Sequence, residues 1–147
     1  MNTILDIQKR LLQYNIKPSL QRIAVMQYLM ENKTHPTADI IYAALSPAIP
    51  TLSRTTIYNT LKLLSEQGAI IALNIDEKNV RYDGDIVAHT HFRCKKCSRI
   101  YDLPKNFTLE NKQQFLDFYI TECQVYYKGY CKECKKTSIN NEIINNF

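Results

Sequence analysis

Two cysteine doublets constrain this chain more than any other feature: Cys94-Lys95-Lys96-Cys97 and Cys131-Lys132-Glu133-Cys134, with residues 98–130 between them. Each C-x-x-C lets a tight knuckle present two sulfurs to one ion, and two knuckles complete the tetrahedral donor set of a structural zinc site. The interval is longer than a compact ribbon uses, so the metal would staple distant parts of one domain. The plainer alternative, unconnected thiols or a redox motif, sits poorly with the pairing and the lysine flanks. Cys123 stands outside the pattern and is expected as a buried small residue in preference to a redox-active thiol. With 147 residues, 45% of them apolar, the chain has room for one ordinary domain or two small ones. Its apolar runs are too short to span a bilayer and no signal-peptide pattern opens it, so the expected location is the cytoplasm. In that reducing compartment a disulfide framework is not expected.

The first half reads as helices followed by a hairpin. Ile4, Leu5, Ile7, Leu11 and Leu12 have the apolar spacing of an amphipathic helix over residues 3–14. Ser19, Thr37 and Ser53 are N-cap candidates for three more, with Ile23, Met26, Leu29 and Met30, then Ile40, Ile41, Ala44 and Leu45, then Ile57, Leu61 and Leu64 facing inward. Gly68 is placed to stop the fourth. From Ala69 the period changes: Ile70, Ile71, Leu73 and Ile75 suggest a strand, Asp76–Asn79 a turn, and Val80 and Tyr82 a return strand. This is the element order of a winged helix-turn-helix, in which the helix from Ser53 enters the major groove. Its exposed side would offer Arg54, Thr55, Thr56, Tyr58, Asn59 and Lys62 to base edges. A solvated helix face in a bundle is the alternative that element order alone leaves open. The net charge of +5 permits a polyanionic partner without establishing one. Lys9, Arg10, Lys17 and Arg22, opposed only by Asp6, make the first thirty residues locally basic.

The second half opens with a strand-like His89–Arg93, then the first knuckle, then Ile100–Leu103. A helix around Leu109–Tyr119 and a strand around Gln124–Tyr130 lead to the second knuckle, and the Asn-rich tail from Thr137 is expected to fray. So short a segment is hard to stabilise by its own core, and zinc with dimerisation is the economical remedy. His89 and His91, two apart on a strand, point to one face, with Asp83 and Asp85 just before them and Asp102 on the neighbouring strand. Mixed imidazole and carboxylate donors suit Fe2+, Mn2+ or Zn2+ better than a thiolate-preferring ion. Two ordinary surface histidines are the competing reading. His35, before a proline in a loop, reads as solvated on pattern alone.

Taken together, Lys17-Pro18-Ser19-Leu20-Gln21-Arg22, His35-Pro36-Thr37-Ala38, Ser53–Leu61, Arg81-Tyr82-Asp83, His89–Cys97 and Cys131–Cys134 resemble the ferric uptake regulator (Fur) family of bacterial metal-dependent repressors. The segments run in family order from about residue 10 to residue 134. The resemblance implies an α+β chain: a winged helix-turn-helix DNA-binding domain over 1–83, a hinge over 84–90, a small α/β dimerisation and zinc-binding domain over 91–136, and a tail over 137–147. Details are most similar to the peroxide-sensing (PerR-like) branch. That likeness implies a regulatory Fe2+ or Mn2+ held by His35, Asp83, His89, His91 and Asp102, with His35 and His89 sensitive to oxidation. It leaves Cys94, Cys97, Cys131 and Cys134 to structural Zn2+, and Lys17, Gln21, Arg22, Arg54, Thr55, Thr56, Tyr58 and Asn59 to DNA. The implied partners are a second copy of the chain and a double-stranded operator with an inverted repeat. Within the family the alternative is an iron- or manganese-responsive repressor without peroxide sensing. Outside it are a His/Asp metal-dependent enzyme, disfavoured because no H-E-x-x-H or H-x-E proton-shuttle motif occurs, and a zinc-ribbon interaction module, which leaves the first eighty residues unexplained.

Overall fold

The computed structural model describes residues 2–104 and 123–142, which fall into two compact units, Met1–Val87 and Ala88–Phe147. In the first, four helices begin at side-chain caps. Helix α1 (Ile4–Gln13) starts in a capping box in which Thr3 Oγ1 accepts from the Asp6 N–H and Asp6 Oδ2 accepts from the Thr3 N–H. Ser19, Thr37 and Ser53 each accept the backbone N–H three residues on, starting α2 (Leu20–Glu31), α3 (Ala38–Leu45) and α4 (Arg54–Glu66). Gly68, at φ +81°, turns the chain out of α4 in the left-handed conformation that glycine adopts without penalty.

The helices pool one apolar stripe each. Ile7 and Leu11 of α1, Val25, Met26 and Leu29 of α2, Ile41 of α3, and Ile57, Leu61 and Leu64 of α4 are buried in a single core with Ile16, Leu52 and Ile70. The apolar faces expected for α1 and α3 are narrower than their sequences suggest. Ile4, Leu5 and Leu12 on α1 and Ile40 on α3 are exposed, because one stripe of each short helix suffices to cover its neighbours. Strand β1 (Ile71–Leu73) pairs antiparallel with β2 (Arg81–Asp83), Ala72 opposite Tyr82, completing a helical bundle with a two-stranded wing. The turn between them is closed by Asp76, whose carboxylate accepts from the Lys78 N–H and from the Arg81 guanidinium.

The second unit is built on β3 (Thr90–Cys94), flanked by antiparallel β4 (Ile100–Leu103) and parallel β5 (Tyr126–Gly129). The register sets His91 opposite Asp102 on one side and Tyr126 on the other. Helix α5 (Lys132–Glu142) follows β5. It runs on through Thr137, where loose chain was expected, starting with Glu133 in its first turn, an anion at the favoured end of a helix. The helix expected around Leu109–Tyr119 lies outside the described residues. The chain is thus α+β. Among the described residues no helix is long and apolar enough to cross a membrane.

Candidate metal centres and recognition surface

The sheet of the second unit delivers the four doublet cysteines to one place. Cys94 ends β3, and a tight turn with Ser98 at φ +63° brings Cys97 back beside it, the Ser98 N–H donating to the Cys94 carbonyl. Cys131 follows β5 and Cys134 lies in the first turn of α5. The two knuckles are tied by the Lys95 N–H donating to the Gly129 carbonyl at 2.7 Å. All four sulfurs lie within 4.8 Å of one another, and Cys97 Sγ and Cys131 Sγ are 3.8 Å apart. A tetrahedron with metal–sulfur bonds of ~2.3 Å has edges of about 3.8 Å. None of these cysteines is in a disulfide, and Cys123, expected to be buried, is exposed.

The electrostatics of the sulfurs point the same way. Burial pushes the Cys94 thiol up, but donation from the backbone N–H groups of Cys131, Cys97 and Lys96 outweighs it and brings the group down to about 6. Cys134 is pushed up to about 12, first by its contact with the Cys131 sulfur and then by burial. One sulfur is therefore prepared as a thiolate while its neighbour resists a second negative charge. A divalent, thiophilic cation resolves that conflict, and Zn2+ fits the donor set.

The imidazole and carboxylate candidates form a cluster in each unit. In the first, His35 and Asp83 are only 2% and 3% exposed, with His35 Nε2 3.4 Å from Asp83 Oδ2. The pattern-based expectation that His35 is solvated is therefore wrong: the loop before α3 turns inward. His35 sits at φ +53°, a conformation that a non-glycine residue holds only when its surroundings demand it. The demand comes from β2. The Arg81 guanidinium donates to the His35 carbonyl at 3.3 Å, and the Tyr82 N–H donates to the Pro36 carbonyl at 3.0 Å. Gly84 lets the chain after Asp83 press against α2, since a Cβ there would lie 2.8 Å from the Leu29 carbonyl oxygen. The half-buried Arg10 guanidinium donates to the Ala69 and Gly84 carbonyls and secures that approach.

In the second unit, His89 Nε2 and His91 Nε2 lie 3.3 and 3.2 Å from the same oxygen, Asp102 Oδ1, with ring centroids 4.4 Å apart. His91 and Asp102 meet because they are register partners across β3 and β4; His89 precedes β3 by one residue. Neighbouring donors around a single ion with bonds of ~2.1 Å sit about 3.0–3.4 Å apart, so each histidine nitrogen stands at coordination-shell spacing from the shared carboxylate oxygen. Asp85, an equal candidate by position, does not join either cluster. Its carboxylate caps its own turn, accepting from the Val87 N–H, while its N–H donates to Asp83 Oδ1.

On α4, Arg54, Thr55, Tyr58, Asn59 and Lys62 are exposed as their spacing predicts. Thr56 is half-buried, its hydroxyl 2.9 Å from the Ser53 hydroxyl at the helix cap. Lys17 is exposed, and Gln21 and Arg22 are half-buried, Arg22 donating to the Lys17 carbonyl. Sequence reasoning missed the groups that hold these residues, Arg81 and Asp76 behind His35 and Asp39 and Tyr42 beside Arg54. Arg81 reaches His35, and Asp39 and Tyr42 reach Arg54, across a dozen or more residues of chain, and no local pattern marks these contacts.

A profile of the ferric uptake regulator family matches residues 13–128. The chain belongs to the ferric uptake regulator family. Over 119 residues, 79% of each chain, it is 40% identical to the peroxide-responsive repressor PerR of Staphylococcus epidermidis. Its structure is similar to the peroxide stress regulator of Campylobacter jejuni, with TM-score 0.66 and 28% identity over 91% of this chain and all of that one. It shares its fold with the ferric uptake regulator of Helicobacter pylori, with TM-score 0.72 and 22% identity over 92% and 96% of the two chains. Ferric uptake regulators are transcriptional regulators, not enzymes, and this chain is a metal-responsive, DNA-binding repressor of that family. The reading of the His/Asp donors as a metal-dependent enzyme is set aside accordingly.

Proposed function

We propose that this ferric uptake regulator is a homodimeric peroxide sensor that represses from an inverted-repeat operator. Cys94, Cys97, Cys131 and Cys134 hold a structural Zn2+, a closed tetrahedron with saturated thiolates and no position left for chemistry. His35, Asp83, His89, His91 and Asp102 together hold one regulatory Fe2+ or Mn2+. The observation that carries the reading is His35: a buried, left-handed histidine beside a buried aspartate in the DNA-reading unit, where a plain winged helix needs neither. Such an outlier is affordable where it serves a site.

Ligands drawn from both units make metal binding and DNA binding linked equilibria. His35 and Asp83 belong to the reading unit, and His89, His91 and Asp102 to the pairing unit, so a shared ion restrains the aim of α4. Two copies of α4, one per protomer, then address successive major grooves. Arg54, Thr55, Thr56, Tyr58 and Asn59 face base edges, and Lys17, Gln21 and Arg22 face phosphates. When bound, Fe2+ would supply the redox activation of peroxide at the site, with no net electron lost from the metal, which Mn2+ in the same donors would not supply. His35 and His89 are the rings that record the event: peroxide leaves one oxygen on the imidazole and the other departs as water. An oxidised ring is a poor ligand, so the restraint on α4 is lost and repression ends. The similarity to the Staphylococcus epidermidis and Campylobacter jejuni proteins supports the peroxide assignment.

The test loads zinc-retaining protein with Fe2+ or Mn2+, measures operator binding before and after peroxide, and maps oxygen addition by peptide mass spectrometry. The iron form should release DNA with added oxygen at His35 or His89, and the manganese form should keep both. DNA release without modification of either histidine would reject the oxidation step; indifference of the iron form to peroxide would leave a metal-responsive repressor only.

A further inference from the structure

The first residue of α4 makes a contact that neither the core nor the metal chemistry requires. Arg54 Nη1 donates to Asp39 Oδ1 at 2.6 Å, and its guanidinium carbon lies 4.6 Å from the centroid of the Tyr42 ring. Asp39 and Tyr42 both belong to α3, so one neighbouring helix holds the guanidinium by a carboxylate and an aromatic face. Helix stability does not explain the arginine. The start of a helix is its positive end and favours anions, and α4 has no acidic residue in its first turn. Fold stability does not explain the pair either, because Arg54 and Asp39 are 62% and 58% exposed, where an ion pair contributes little.

What the two contacts do change is the freedom of the side chain. An arginine loses several rotamers when it is immobilised on a partner, and holding it beforehand removes that penalty from binding. With Nη1 on the carboxylate and one face of the plane on the ring, the Nε–Nη2 edge remains, two parallel donors. That edge matches the two acceptors, N7 and O6, that guanine displays in the major groove. Residues at the start of a recognition helix are the ones that reach base edges.

We propose that Asp39 and Tyr42 are positioning residues that pre-set Arg54 to read a guanine, and so determine operator specificity through it. This rests on the reading of α4 as the groove-facing helix and of Arg54 as a base contact. Removing the Asp39 charge then has two opposed effects. General attraction to phosphate rises, while the loosened Arg54 discriminates less. An Asp39 that serves only as an acid in the first turn of α3 would leave base preference where it was.

The experiment uses full-length, Mn2+-loaded protein and a randomised duplex pool, with base preferences read by sequencing. Binding to the best duplex and to a scrambled one follows across a salt series. Wild type should enrich guanine at one position per half-site, and Arg54→Ala should lose it. Asp39→Asn and Tyr42→Leu should each weaken that guanine preference by at least about threefold and leave the other positions unchanged. Asp39→Asn should also bind the scrambled duplex more tightly than wild type, and Asp39→Glu should restore part of the guanine preference. The Asp39→Asn/Arg54→Ala double variant should discriminate no worse than Arg54→Ala alone. A guanine preference that disappears in Arg54→Ala but persists in Asp39→Asn and Tyr42→Leu overturns the positioning role and leaves the Arg54 reading intact. Preferences unchanged in Arg54→Ala overturn both, and a wild-type protein that enriches no sequence rejects α4 as the reading helix.

Discussion

His35 holds φ +53° with its ring buried against Asp83, and its backbone is kept there from the wing by Arg81, which donates to the His35 carbonyl, and by the Tyr82 N–H, which donates to the Pro36 carbonyl. Asparagine tolerates the left-handed region better than most residues, so His35→Asn removes the imidazole while sparing the turn. Mn2+ affinity should fall at least about tenfold, the order lost when even supporting groups of a metal site are removed, while zinc content stays unchanged. Titration with elemental analysis checks this, and unaltered Mn2+ binding would remove His35 from the donor set. On the DNA side, Tyr58→Ala should reduce specific affinity more than non-specific affinity. Lys17→Ala should weaken binding to every sequence and reduce the salt slope by about 1, as expected for one lost phosphate contact.

The elements meet at a few tight places. Gly84 follows β2 where the chain passes α2, and an added methyl group would lie 2.8 Å from a backbone oxygen that cannot rotate away. Gly84→Ala should therefore shift β2 or α2 and destabilise the first unit by about 1–3 kcal/mol. Urea denaturation reads this as a lowered midpoint with an unchanged slope, and a neutral result would mean that β2 and α2 separate at no cost to admit a methyl group. Because Asp83 is the neighbouring residue, the same substitution should also weaken Mn2+ binding. Three helix starts and the wing were legible in the chain, since Ser19, Thr37 and Ser53 cap by contacts three residues away; the capping box at Thr3 came only from the structure. The width of each buried face was not legible. Ile4, Leu5, Leu12 and Ile40 have the right spacing but outnumber the neighbours available to cover them.

At the scale of the whole molecule, two metal sites with different donors should respond to different reagents. A mild chelator that spares the thiolate site should leave a zinc-containing protein whose operator affinity is reduced, and Mn2+ should restore it. If the stripped protein binds as tightly as the loaded one, the regulatory ion does not control DNA binding. Cys131→Ser should act otherwise, lowering zinc content and unfolding the second unit, because among the described residues its sheet has three short strands and little core of its own. Gel filtration and elemental analysis separate the two outcomes.

The cysteine doublets, the caps and the wing announced themselves in the chain because each is a local device, its parts a few residues apart and its chemistry set by residue type. The paired His89 and His91 belong to the same class, being separated by a single residue. The inward turn of His35, the exclusion of Asp85 and the hold of Asp39 and Tyr42 on Arg54 were decided only by the tertiary structure. Each depends on which distant groups arrive at hydrogen-bonding distance, and that follows from how the helices and strands pack.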